Sequence, residues 1–108
     1  MTTAPMSDRV AAGAALLDER RPGWAADVDP DGLEMRGCLE CVLGQLFGQY
    51  EQGLGRLDIP TSAARGFAAE RFGFDVYASD GDAAYDALND LWRGQIAART
   101  VPAKGGAA

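Results

Sequence analysis

Cys38-Leu39-Glu40-Cys41 is the one compact stretch of this chain whose residue types and spacing could do chemistry. A CxxC pair can exchange thiols with disulfides, the more exposed sulfur attacking and the other resolving the mixed disulfide, or it can supply half of a tetrahedral zinc site. The second half of a zinc site is hard to find here. The sequence holds no histidine and no third cysteine, so zinc would need an oxygen from Glu34 or Glu40, or the same pair from a second copy of the chain. Both sulfurs can also serve as small apolar groups in a packed helix. That structural role, with both thiols reduced, is the expectation; redox or metal chemistry at Cys38 and Cys41 is the alternative.

The element that must position the pair is read from periodicity. Leu39, Val42, Leu43, Leu46, Phe47 and Tyr50 recur on a period of about 3.6 residues, which predicts one central helix with a broad apolar face. Cys38 and Cys41 then lie on its first turn, where free amide groups and the helix dipole favour thiolates. Cys41, Gly44 and Gly48 fall on the opposite side. Two glycines inside a helix weaken it by about 1 kcal/mol each relative to alanine, so Gly44 and Gly48 are candidate contact residues where something approaches closely. Another part of the same chain is the first expectation for that neighbour and a homodimer partner the second.

Several chemistries are excluded by composition. Without histidine the commonest neutral-pH base and the usual catalytic triads are gone, and no glycine-rich phosphate loop or dinucleotide fingerprint is present. No cofactor is expected. Asp27, Asp29 and Asp31 with Gly32 imitate the start of a calcium loop, but the twelfth position is Cys38, where a bidentate glutamate is required, and Pro30 stiffens the turn. These aspartates, and Asp75, Asp80 and Asp82 in a second acidic connection, are expected as turns, caps and a partner-facing surface. A net charge of −6 and the lack of a basic run interleaved with aromatics argue against general nucleic-acid binding. No apolar run approaches the roughly 18 residues of a membrane span, and the N-terminus lacks a signal-peptide pattern, so a cytoplasmic protein is the default expectation.

The 108 residues, 47% of them hydrophobic, suffice for one modest core. An all-α fold of about four helices with irregular acidic connections is predicted, as a single domain over 8–99 between tails at 1–7 and 100–108. A first helix at 9–20, capped by Ser7 or Asp8, carries Val10, Ala14 and Leu17 on one stripe and stops at Pro22-Gly23. Trp24 covers the end of the core, and Leu33 and Met35 seal the approach to the central helix. That helix ends at Gly53 or Gly55. A third follows from Thr61 or Ser62 and ends at Phe72-Gly73-Phe74, with Gly73 left-handed and Phe74 folded back. The last, capped by Asp80 or Asp82, carries Tyr85, Leu88, Trp92 and Ile96 to about 98 or 99. The central helix is expected between the first and the last.

The stretch from Trp24 to Tyr50, above all Cys38-Leu39-Glu40-Cys41-Val42-Leu43-Gly44-Gln45-Leu46-Phe47-Gly48, together with Phe72-Gly73-Phe74-Asp75, resembles small uncharacterised proteins of actinobacteria and their phages. The resemblance implies a compact accessory protein acting on a host component, and it brings no catalytic residue, cofactor or named partner. The expected function is therefore occupancy or modulation of a protein partner rather than turnover, with a thiol redox or metal-binding protein as the alternative.

Overall fold

A computed structural model describes residues 4–59, 68–77, 80–81 and 83–100. The described residues form helices and turns with no strand: α1 (Met6–Arg20), a short 3-10 turn (Trp24–Asp27), α2 (Val42–Phe47), α3 (Tyr50–Arg56), α4 (Ala68–Arg71) and α5 (Ala84–Thr100). The all-α fold is as predicted, with two helices, α2 and α3, where one central helix was expected. Thr61, Ser62, Asp82 and the stretch 101–108 lie outside the described residues. Among those described, no helix is long and apolar enough to cross a membrane.

The two long helices form where apolar residues recur in helical register. On α1, Val10, Ala14 and Leu17 are fully buried; on α5, Leu88, Trp92 and Ile96 are, so each helix presents one stripe to the core. The stripes meet each other. α1 contacts α5 and α4 directly, while α2 lies against α3 and the 3-10 turn, which corrects the expectation of a central helix held between first and last. Trp92 is the hub: Trp24 meets it edge-on at 5.8 Å, Phe74 stacks on it at 5.4 Å, and its indole N–H donates to the Gly73 carbonyl at 2.6 Å. α1 also begins earlier than expected, at Met6 behind Pro5, with no side-chain cap from Ser7 or Asp8, so Met6 and Ser7 of the expected tail belong to the helix.

Two chain reversals decide where the rest of the core sits. α4 closes as predicted: Gly73 is left-handed at φ 72°, its N–H donates to the Glu70 carbonyl at 3.0 Å, and Phe74 returns its N–H to the Ala69 carbonyl at 3.0 Å and buries its ring. α3 does not end at Gly53 or Gly55. It continues to Arg56, and Asp58 takes the left-handed position at φ 59°, with Ile59 N–H reaching back to the Leu54 carbonyl at 2.8 Å.

The largest correction concerns the central helix, which the structure divides in two. Gly48 takes φ 97° and Gln49 is extended, so the chain turns between α2 and α3 where the period had run straight through. Only glycine adopts that φ without strain. Gly48 is thus a helix terminator, not a contact residue. The close contact between helices occurs at Gly53 of α3, where an added Cβ would lie 2.6 Å from the Leu43 Cβ of α2.

Candidate functional site

The segment before α2 is a folded loop, not the first turn of a helix. Gly37 N–H donates to the Glu34 carbonyl at 3.0 Å, Cys41 N–H to Gly37 at 3.1 Å and Glu34 N–H to Glu40 at 3.2 Å, closing residues 34–41 on themselves. Two longer ties hold the loop to the domain. Tyr50 N–H, at the start of α3, donates to the Cys38 carbonyl at 2.9 Å. The Gln45 amide donates to the carbonyls of Glu40 at 3.0 Å and Asp29 at 3.2 Å, and its oxygen accepts the Asp29 N–H at 2.7 Å. Leu39, expected on the core face, is instead 60% exposed.

Gly44 receives this loop. A Cβ there would overlap the Cys38 carbonyl oxygen and lie 2.6 Å from the Leu39 carbonyl carbon. The neighbour is the chain's own backbone immediately upstream. The small-residue surface that the sequence left to another segment or a subunit is therefore filled by residues 38–39.

The two cysteines have unlike environments. Cys41 is the N-cap of α2: it is 1% exposed, and its sulfur accepts the Gly44 N–H at 3.3 Å while facing the Cys38 carbonyl at 3.8 Å. Burial pushes the Cys41 thiol above its ordinary value, against the partial relief of the backbone N–H groups. That favours the neutral thiol, the less nucleophilic form. This departs from the expectation that a first-turn position would favour a thiolate there. Cys38 is exposed and precedes the helix.

Cys38 lies on the wall of a cavity of about 100 Å³ formed with Met35, Arg36, Gly37, Tyr50, Asp75 and Tyr85. Three separate elements converge there: the 34–41 loop, the first residue of α3 and the start of α5, with Asp75 following α4. Tyr85 donates its hydroxyl to one Asp75 oxygen at 2.6 Å, Tyr50 to the other at 3.2 Å, and Val76 N–H also reaches the carboxylate at 2.8 Å. Burial pushes the Tyr50 phenol far up, and the neighbouring negative charge of Asp75 adds to the shift. The Arg36 guanidinium lies 4.9 Å from the Tyr85 ring centroid, so a cation and a carboxylate occupy different parts of one aromatic side chain.

The acidic residues divide accordingly. Asp75 faces inward as the acceptor just described. Asp80 is paired with the nearly buried Arg9 at 3.1 Å and accepts the Tyr77 N–H at 2.8 Å, and Asp27 is paired with Arg21 at 2.9 Å. Asp29 and Asp31 remain exposed; Asp29 accepts the Asp31 N–H in a short acidic turn, and Gln45 ties that turn to Glu40. Asp82 is outside the described residues.

Three positioning residues were missed from sequence. Buried Asn89 on α5 accepts the Met35 N–H at 2.7 Å and donates to Glu34 at 3.2 Å. Glu34 also accepts the Arg36 N–H, and these two bonds hold its carboxyl below the usual range. Arg93 donates to the carbonyls of Pro30 at 3.0 Å and Leu33 at 3.1 Å, fixing the acidic turn to α5. Asn89 could have been singled out, since an amide interrupts an apolar stripe between Leu88 and Trp92; no local signal marks Arg93 or Gln45.

Among the described residues, no group of three or more cysteine, aspartate or glutamate side chains is gathered as a metal ion would require. Compared with known proteins, the chain matches no family model, no curated protein and no solved structure.

Proposed function

We propose that this chain is a small acidic accessory protein that acts by occupying a protein partner through the 36–40 loop. The observation that carries the reading is the exposure of Leu39 on a loop whose backbone is tied down at both ends. A single exposed leucine is ordinary on a protein surface. This one differs because its backbone is already ordered, so docking it costs little further conformational entropy. Its surroundings specify the partner's chemistry. Exposed Glu40 precedes the helix cap, and Gln45 joins it to the acidic turn with Asp29 and Asp31, so an apolar anchor stands beside a negative patch. The complementary surface is a small apolar pocket with a basic rim. The resemblance to actinobacterial and phage proteins makes an actinobacterial extract the first place to look.

Tagged wild-type chain and its Leu39→Ala and Leu39→Asp variants, each checked for unchanged helical signal, should be titrated against such an extract at low and moderate salt. The expected result is saturable capture that weakens with salt and falls at least roughly tenfold in Leu39→Asp. Equal capture by all three chains, or no saturable protein at either salt, would overturn the reading.

A further inference from the structure

The reversal at Gly48 and Gln49 carries an inference independent of the docking reading. We propose that it is a hinge at which two copies of the chain exchange halves, giving a symmetric dimer in which α2 and α3 run on as one helix.

The helical contacts define what an exchange rebuilds. α1 packs on α5 and α4, the 3-10 turn packs on α5, and α2 packs on α3, so each of these pairings joins a segment before Gly48 to one after it. Trp24 and Trp92, which meet at 5.8 Å, and Asp18 and Arg99, paired at 2.7 Å, also stand on opposite sides of the hinge. Each half therefore closes its core against the other. A second copy supplies the missing half with the same residues, so its fit needs no new surface, and the arrangement closes after two chains.

The hinge region is suited to both arrangements. α2 has six residues and α3 seven, each too short to be stable alone. Leu43, Leu46 or Phe47, Tyr50, Leu54 and Leu57 follow one another at intervals of three or four residues, so one unbroken helix carries them as a single apolar stripe. In that helix the Tyr50 N–H exchanges the Cys38 carbonyl, which it meets at 2.9 Å in the closed chain, for the Leu46 carbonyl. Only two residues interrupt it: Gly48, at φ 97° and ψ −31°, and Gln49, which is extended. Both are exposed, and the nearest atom to a Cβ added at Gly48 is the Gln52 amide oxygen at 3.2 Å, the end of a flexible side chain. What ties position 48 to glycine in the closed chain is thus backbone conformation rather than crowding. Alanine has no low-energy state at those angles and prefers the helix.

Full-length chains with the native hinge and with Gly48→Ala, each also carrying Cys38→Ser, Cys41→Ser, Asp18→Cys and Arg99→Cys, should be refolded from urea at high concentration and separated by size. A short bismaleimide then bridges positions 18 and 99, and intact mass in denaturant reads whether a bridge lies within one chain or joins two. The expected result is internal bridges in the monomer and interchain bridges in the dimer. The dimer dissociation constant of Gly48→Ala should lie at least roughly hundredfold below that of the native hinge, because the dimer contains the hinge twice and each is worth about tenfold. Dimers bridged only within single chains are face-to-face pairs and would overturn the proposal, as would a folded Gly48→Ala chain that stays monomeric or dimerises no more tightly than the native hinge. If alanine prevents folding, the native hinge decides alone: refolded at its highest soluble concentration it must give interchain bridges, and their absence overturns the exchange.

Discussion

The Tyr85 hydroxyl donates to Asp75 at 2.6 Å, a contact that ties the first turn of α5 to the segment following α4. Tyr50, the first residue of α3, completes the arrangement on the second carboxylate oxygen. Removing the hydroxyl in Tyr85→Phe should cost about 1.5 to 3 kcal/mol by urea unfolding, the range for a hydrogen bond to a charged acceptor. Asp75→Ala should cost more, since it releases both phenols. Equal stability of the two variants would show that Tyr50 contributes nothing.

The same residue sets an alkaline limit. Below the ordinary tyrosine value of 10.0, Tyr50 is protonated in folded and unfolded chains alike, and its contribution is fully present. Above that pH the unfolded chain loses the proton while the folded chain, where burial raises the value, keeps it. Stability must then fall as pH rises. Thermal unfolding of wild type and Tyr50→Phe between pH 8 and pH 11, values on the order of the range in question, should show a steeper alkaline decline for wild type.

At Gly44 the neighbour is backbone, which cannot rotate aside. Gly44→Ala should therefore destabilise by about 1 to 3 kcal/mol despite alanine's better helix propensity, and Gly44→Leu by at least as much. Because the overlapping atoms belong to Cys38 and Leu39 of the same chain, subunit mass in sedimentation should not change. Unaltered unfolding of both variants would contradict the close approach.

Cys41 separates capping from redox roles. Serine can accept the Gly44 N–H where alanine cannot, so Cys41→Ala should lose about 1 kcal/mol of cap energy that Cys41→Ser retains. Alanine proving as stable as serine by urea unfolding would show that the sulfur's cap contributes nothing.

Asn89→Leu should leave the Met35 N–H without its acceptor and cost about 1 to 3 kcal/mol. It should also release Glu34. Bonds from the Arg36 N–H and Asn89 hold that carboxyl below 4.5, so its contribution is present above 4.5 and is lost as pH falls through the lowered value. The acid limb of the unfolding profile should be shallower in Asn89→Leu than in wild type.

The two long helices were legible in the sequence. Val10, Ala14 and Leu17, and Leu88, Trp92 and Ile96, follow a local rule in which residues three or four apart share a face, and that rule holds wherever a helix is unbroken. The ending at Gly73 was legible for a similar reason, because the left-handed residue and the returning Phe74 are adjacent in the chain. The centre obeyed no such rule. A glycine at position 48 is compatible both with a weakened helix and with a left-handed turn, and periodicity cannot choose between them. Tertiary contacts chose: the Tyr50 N–H to the Cys38 carbonyl, Gln45 to Asp29 and Glu40, and the loop backbone seated on Gly44. Those contacts expose Leu39, bury Cys41 as a cap and leave Cys38 lining one cavity with Asp75, a residue 37 positions away in the chain by its numbering. The sequence by itself determined the helical class, the long-helix faces and the pair of thiols; only the folded chain decided that the two thiols have different neighbours, because those neighbours come from segments that no local period connects.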